Sequence, residues 1–458
     1  MTASLTISEL GARLRAGAIT AEQLTSQALG RIASHDAEIH AFIRLEVDAA
    51  LAAARVVDDE MRRGVDRGPL HGVPYAIKDI YDVEGLPTTC HSKLRLDHRA
   101  AADSAVAERL RQGGAILLGK LSTHEFAFGG PSIDLPFPPA HNPWNTSRIP
   151  GGSSSGPAAA VAAGYVRFAP GSCTGGSIRG PAAWCGVVGL KPTYGRVSRR
   201  GVFPLAWTLD HCGPIAACVE DAADALQVMA GHDPLDPASA SEPVPNFKAA
   251  LHDGAAGMRI GVPRRFFANH PSLSEEAARA IEDAIAWLKD AGATVEDIEL
   301  PELELFTACA RVVMTAEMYG LHAEDLRARP GDYGALSLNR FILGATLGAN
   351  DYINALRLRR ILKDAVDQTL TRHDALVTVI TLTTAPSFDP PPNPSAWAVQ
   401  GSAFNVTGHP AMSLPVKLAR DGLPLAVQVV GRAFHETSLL RVGQALEKAA
   451  GFRHRFRK

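Results

Sequence analysis

Gly151-Gly152-Ser153-Ser154-Ser155-Gly156 and Gly171-Ser172-Cys173-Thr174-Gly175-Gly176-Ser177-Ile178-Arg179 form a double run of glycine and serine in the first half of the chain. Glycine admits positive φ and lets backbone amides approach a ligand. Serine supplies a hydroxyl that donates, accepts or attacks. Flexible Gly/Ser linkers carry no apolar interruptions. Here Val161, Val166, Phe168 and Val187 break the runs with core-forming residues. The two runs therefore read as a built site inside a folded domain.

Working outward, apolar strand-like runs alternate with helix-like periodicity, which argues an α/β sandwich with a mixed sheet. Residues 1–65 read as helices, with capping boxes at Thr6-x-x-Glu9 and Thr20-x-x-Gln23. Tyr75–Ile80 reads as a short apolar strand carrying Lys78, and Ala115–Leu118 as a buried strand. Residues 128–150 form a long Pro-rich loop leading into Gly151, and loops of that length in compact domains are usually functional. Met258–Val262, Ala293–Leu300, Ala375–Thr381 and Leu425–Val430 read as strands. Val219–Ala230, Ser274–Asp290, most of 303–372 and Thr437–Ala449 read as helices. We divide one domain, 1–458, into N-terminal helices (1–65), a core bearing the runs (66–232), a helical substrate-side region (233–373) and a C-terminal part of the core (374–458).

Bulk properties exclude several classes. The chain has 458 residues, 46% of them hydrophobic, so it can bury a large core. A formal charge of −2 and only 6% aromatic residues give no support to a nucleic-acid partner or an anionic membrane surface. Six scattered cysteines contain no CxxC pair, which fits a reducing cytoplasm and no zinc site. No run is long enough for a spanning helix, and the N-terminus lacks a signal-peptide pattern. His124-Glu125 and His435-Glu436 lack the second histidine of a metalloprotease motif, so neither a metal nor another cofactor is expected.

The chemistry follows from residue types. Acyl transfer needs a nucleophile, a base and donors for an oxyanion. Thr174-Gly175-Gly176-Ser177 can supply a hydroxyl and exposed amides, and a helix starting after Ser177 would aim its dipole there. The base is a histidine or a lysine neutralised by burial. Lys78 has the apolar setting, although an edge-strand lysine reaching water fits the same run. Gly152-x-Ser154-x-Gly156 matches a nucleophile elbow, but Trp144–Pro150 is not the strand that motif requires. Gly114-x4-Gly119-Lys120 imitates a phosphate loop but has Leu121 where Ser or Thr belongs.

The two runs, together with Gly189-Leu190-Lys191-Pro192-Thr193-x-Gly195-Arg196-Val197-Ser198, resemble the amidase signature. Gly72-Val73-Pro74-x-Ala76-Ile77-Lys78-Asp79, Glu125-Phe126-Ala127 and Leu209-Asp210-His211-x-Gly213-Pro214 extend the likeness over nearly the whole chain. The resemblance implies the amidase-signature fold, a mixed sheet between helical layers. It also implies a Ser–cis-Ser–Lys triad, with Ser177 as nucleophile, Ser153 as the bridging serine and Lys78 as base. The amides of Thr174, Gly175, Gly176 and Ser177 would form the oxyanion hole. One departure is Cys173, which stands where the family usually has Asp.

Free-standing amidases and the A subunit of glutamyl-tRNA amidotransferase are both similar. The latter has an arginine near Arg340 and an acidic residue where this chain has Ala398, between Trp397 and Val399. The loss of that acid points to a neutral aryl or alkyl amide over glutamine. Expected pocket walls are Gly129, Gly130, Pro131, Ile133, Met318, Tyr319, Arg340 and Trp397. The same triad would also act on a carbamate (urethane) or an ester. The other alternative is an A-type amidotransferase chain that works with partner proteins. The expected partner is thus a small-molecule amide or carbamate. The oligomeric state stays open, a homodimer among the options.

Overall fold

The computed structural model describes residues 2–389 and 399–452. Eleven strands form two sheets among the described residues. The smaller sheet contains β1 (Phe42–Leu45), β2 (Pro74–Lys78) and β3 (Ile116–Leu121) in the order β1-β3-β2. The larger contains β4 (Phe168–Cys173), β5 (Val188–Lys191), β6 (His211–Ala216), β7 (Arg259–Val262), β8 (Thr294–Asp297), β9 (Ala375–Val379), β10 (Ala411–Leu418) and β11 (Pro424–Gly431). Its order is β4-β6-β5-β10-β11-β9-β7-β8. Pairing is antiparallel from β4 through β9 and parallel for β9-β7-β8, so the sheet is mixed, as the sequence predicts.

The N-terminal region departs from an all-helical reading. Both capping boxes form, starting the helices Ile7–Arg15 and Ala21–Ile39. Between the second of these and Val47–Arg62, however, β1 pairs antiparallel with β3. Phe42-Ile43 is aromatic and β-branched, and partial burial against β3 selects the strand over a continued helix.

The helix Ser155–Ala162 explains how the two sheets meet. All eight of its residues are buried, as expected for a helix apolar on every side. Its alanines pack in one cluster with Ala76, Ile116 and Leu118 of the small sheet and with Ala169, Cys173 and Ile215 of the large one. Gly156 permits this close fit. A Cβ there would lie 2.5 Å from the Ser122 amide nitrogen and 2.6 Å from the Ala41 oxygen. The first glycine–serine run is thus the N-terminal end of a wedge between sheets, with the ends of β2 and β4 close beside it.

Candidate active site

Lys78 ends β2, where every side chain is buried. Its Nζ lies 2.8 Å from Ser153 Oγ, 3.1 Å from Ser154 Oγ and 2.9 Å from Ser172 Oγ. No carboxylate pairs with it among the described residues. Burial pulls its pKa down to about 7, against the smaller upward pull of Cys173 and Asp210. The second lysine of this sheet, Lys120, is equally buried but ion-paired with Asp79 at 2.9 Å. It also donates to the carbonyls of Tyr81 and Pro87. The two lysines thus have opposite environments, one ionic and one made of hydroxyls.

The peptide bond between Gly152 and Ser153 is cis. Gly152 has no room for a side chain, because a Cβ would sit 2.0 Å from His124 Cε1. The Ser153 carbonyl accepts from the His124 amide at 3.2 Å and from Thr123 Oγ1 at 3.0 Å. Ser154, the residue of the elbow-like motif, is fully buried, donates to the Ser172 carbonyl at 3.2 Å and lies away from the cleft.

The second run turns from β4 into the helix Arg179–Trp184. Gly176 has φ +127°, a left-handed conformation that glycine adopts freely. Among the described residues, no backbone carbonyl takes the amides of Gly175, Gly176 or Ser177. The Thr174 hydroxyl donates to Asp210 Oδ1 at 2.6 Å. Asp210 Oδ2 accepts from the amides of Leu205 and Ala206 at 2.8 and 3.0 Å. Burial raises the Asp210 pKa to about 6 even so. Behind the loop, Gly401 packs so closely that a Cβ would fall 2.7 Å from the Gly175 oxygen and 2.7 Å from Gly176 Cα.

A cleft of about 90 Å³ opens on this loop. Gly152, Ser153, Thr174, Gly175, Gly176 and Ser177 line its floor. Its walls are His124, Ala127, Phe128, Trp184, Leu205, Met314 and Ile380, with Gly129 and Arg340 at one side. Burial, ahead of the nearby Lys78 charge, drives the His124 pKa down to about 3, so its imidazole is neutral. Arg340 donates to the Gly129 carbonyl, stacks 5.4 Å above the Phe128 ring and is depressed by burial. Among the described residues, no carboxylate lines the cleft.

The predicted wall residues distribute unevenly. Gly129 and Arg340 line the cleft, whereas Gly130 and Pro131 line a smaller neighbouring cavity. Met318 is 0% exposed in the main core, and Met314, one turn earlier on the same helix, faces the cleft instead. Tyr319 packs on Gly344, and Ile133 is 93% exposed, away from the cleft. Trp397 and Ala398 lie outside the described residues. Sequence reasoning missed Ser172, His124, Trp184 and Gly401. Only Ser172 carried a signal, its place in the second run.

The family model described as Amidase matches residues 23–440. The chain is 38% identical to the A subunit of glutamyl-tRNA(Gln) amidotransferase from Anaeromyxobacter sp. (strain K), covering 98% of this chain and 96% of that protein. Among solved structures, a similar one is described as an unexpected vestigial protein complex that reveals the evolutionary origins of an s-triazine catabolic enzyme. It has a TM-score of 0.92 and 36% identity over 97% of this chain and 98% of that one. The peptide amidase of Stenotrophomonas maltophilia follows, with a TM-score of 0.86 and 31% identity over 99% of this chain and 98% of that one. A buried lysine among serine hydroxyls, a cis serine and an open-amide loop therefore occur in a chain that belongs to the amidase family.

Proposed function

We propose that this chain hydrolyses the C–N bond of an amide through an acyl-enzyme on Ser177, with Ser153 as proton relay and Lys78 as base. The observation that carries the reading is the environment of Lys78. An ammonium with no carboxylate partner in a buried site favours its neutral form, and a neutral amine held on serine hydroxyls is a proton acceptor.

In the proposed cycle Lys78 takes the proton of Ser153 as Ser153 takes that of Ser177. The freed Ser177 oxygen attacks the carbonyl carbon. The amides of the Thr174–Ser177 loop receive the negative charge that develops on the carbonyl oxygen. The C–N bond breaks as the leaving nitrogen regains the proton along the same relay. Water then attacks the ester, its proton following the same path, and the acid leaves. A carbamate or an ester would pass through the same steps. Ammonia or amine release from an amide, measured for the purified chain and for Ser177→Ala, tests the reading.

The relatives support a first reading of the substrate in which the chain is the A-type component of an amidotransferase and glutamine is the amide. Arg340 suits a substrate carboxylate, which is at odds with the neutral substrate expected from the sequence. A second reading rests on the cleft, which among the described residues offers a guanidinium and no carboxylate to meet an ammonium. It assigns an amide acid without an amino group. Glutamine and glutaramate differ only in that group. Faster ammonia release from glutamine supports the first reading, and faster release from glutaramate the second.

A further inference from the structure

Cys173, the last residue of β4, stands directly before the Thr174–Ser177 loop, and Arg179 opens the helix that follows it. Both are fully buried. The Arg179 guanidinium is met by the Asn405 and Gln428 side-chain oxygens, by the Gly401 carbonyl at 2.9 Å and by Cys173 Sγ at 3.6 Å. Nearby Lys191 is fully buried too, and its Nζ donates to the carbonyls of Pro192 and His409, at 3.1 and 2.6 Å. Among the described residues, no carboxylate pairs with either basic group.

Burying a cation is costly unless an anion accompanies it or it gives up its proton. Lys191 takes the second course, pushed well below its ordinary pKa by burial and then by Arg179. A guanidinium cannot. Among the described residues, the one ionisable acid touching Arg179 is the Cys173 thiol. We propose that Cys173 is a thiolate, the counter-ion of Arg179, and that this buried pair clamps both ends of the loop bearing Ser177.

One contact opposes ionisation, since Asn405 Oδ1 lies 3.6 Å from Cys173 Sγ and accepts from a protonated thiol; the Arg179 charge favours it. Burial opposes ionisation of Cys173, but Arg179, and after it the Ile178 amide, pull its pKa below the ordinary 9.0. Across the strand pair, His211 is buried and held neutral. Lys78, the Asp210 carboxyl and, across the cleft, His124 and Arg340 are further titratable groups near the loop, and the Cys173 charge acts to raise Lys78. The other five cysteines are all pushed upward by burial. Cys173 is therefore a positioning residue that also raises, against the larger effect of burial, the proton affinity of the amine at the site. The positioning role rests on Ser177 being the nucleophile, whereas the thiolate state does not.

The test is a pH titration of the thiolate absorbance band in the folded, unmodified chain and in Cys173→Ser and Cys173→Asp. The expected result is a thiolate that titrates below pH 9.0 in the unmodified chain and is missing from both variants. Alongside it, Cys173→Ser should lose about tenfold or more in kcat with KM little changed, because a charge-assisted contact is gone. Cys173→Asp should recover most of that loss. The acid limb of the rate profile should move to lower pH in Cys173→Ser only. A thiolate that first appears above pH 9.0 in the unmodified chain overturns the proposal without any variant having to fold. Full activity and an unmoved pH profile in Cys173→Ser overturn the positioning role. Loss of all activity in Ser154→Ala but not in Ser177→Ala would instead strike at the assignment of the nucleophile and leave the thiolate standing.

Discussion

Asp79 gives its carboxylate to Lys120, 2.9 Å away, and not to Lys78, its neighbour in the chain. The pairing follows from strand geometry. Successive side chains point to opposite faces, so Lys78 and Asp79 diverge where β2 ends, and Asp79 meets the lysine arriving from β3. Lys78 is left with three hydroxyls. One buried lysine thereby has a carboxylate beside it and the other, among the described residues, has only hydroxyls.

The two lysines should fail differently on substitution. Lys78→Met should keep the fold and lose about a thousandfold or more in kcat, the usual range for a general base and its relay. Lys120→Met strands the Asp79 carboxylate in the interior and should cost about 3–5 kcal/mol of stability. Paired thermal melts and kinetics on the two variants check this.

The pH dependence has a defined sign. The base form of Lys78 is required, so kcat/KM should rise with pH through a midpoint at about 7, the value to which burial lowers that amine. Asp210, raised by burial to about 6, titrates on the same side. The two are separable by a rate–pH profile of Asp210→Asn. The limb near 7 should persist and shift, if at all, downward, because removing that carboxylate removes one of the charges raising Lys78.

Arg340 should govern binding and not chemistry. Arg340→Gln should raise KM about tenfold or more for an amide carrying a carboxylate, the worth of a charge-assisted hydrogen bond, with a smaller change in kcat. An aryl amide without charge should be nearly indifferent. Steady-state kinetics on glutaramate and acetanilide make the comparison.

Gly401 supports the loop from behind. In Gly401→Ala the new methyl would meet Gly175 and Gly176 at 2.7 Å, displacing the amides that face the cleft. Overpacking of this kind costs about 1–3 kcal/mol, so the variant should fold. Displaced donors should nevertheless lower kcat by about a hundredfold. Circular dichroism and kcat on the same preparation separate the two effects.

The two runs and the strand carrying Lys78 were readable because their residue types are unusual where they stand: glycines against a core, and a lysine in an apolar strand. The capping boxes at Thr6 and Thr20 were readable for the same local reason. β1 was not, because its pairing with β3 joins Phe42 to Leu121, a distant partner that no local propensity announces. The walls of the cleft were the least legible. Met314 and Met318 sit one turn apart on one long helix, and only the packing of that helix decides which of them faces the site. Gly401 has no signature in sequence, since what it avoids is a clash with a loop far away in the chain, at Gly175 and Gly176.

The central claim is that Ser177 carries the acyl group. Its most direct test is labelling by a fluorophosphonate, located by mass spectrometry of the digested protein, in the unmodified chain and in Ser177→Ala and Ser154→Ala. The expected result is an adduct on Ser177, loss of both label and turnover in Ser177→Ala, and label retained in Ser154→Ala. Label that survives Ser177→Ala and disappears in Ser154→Ala would contradict it.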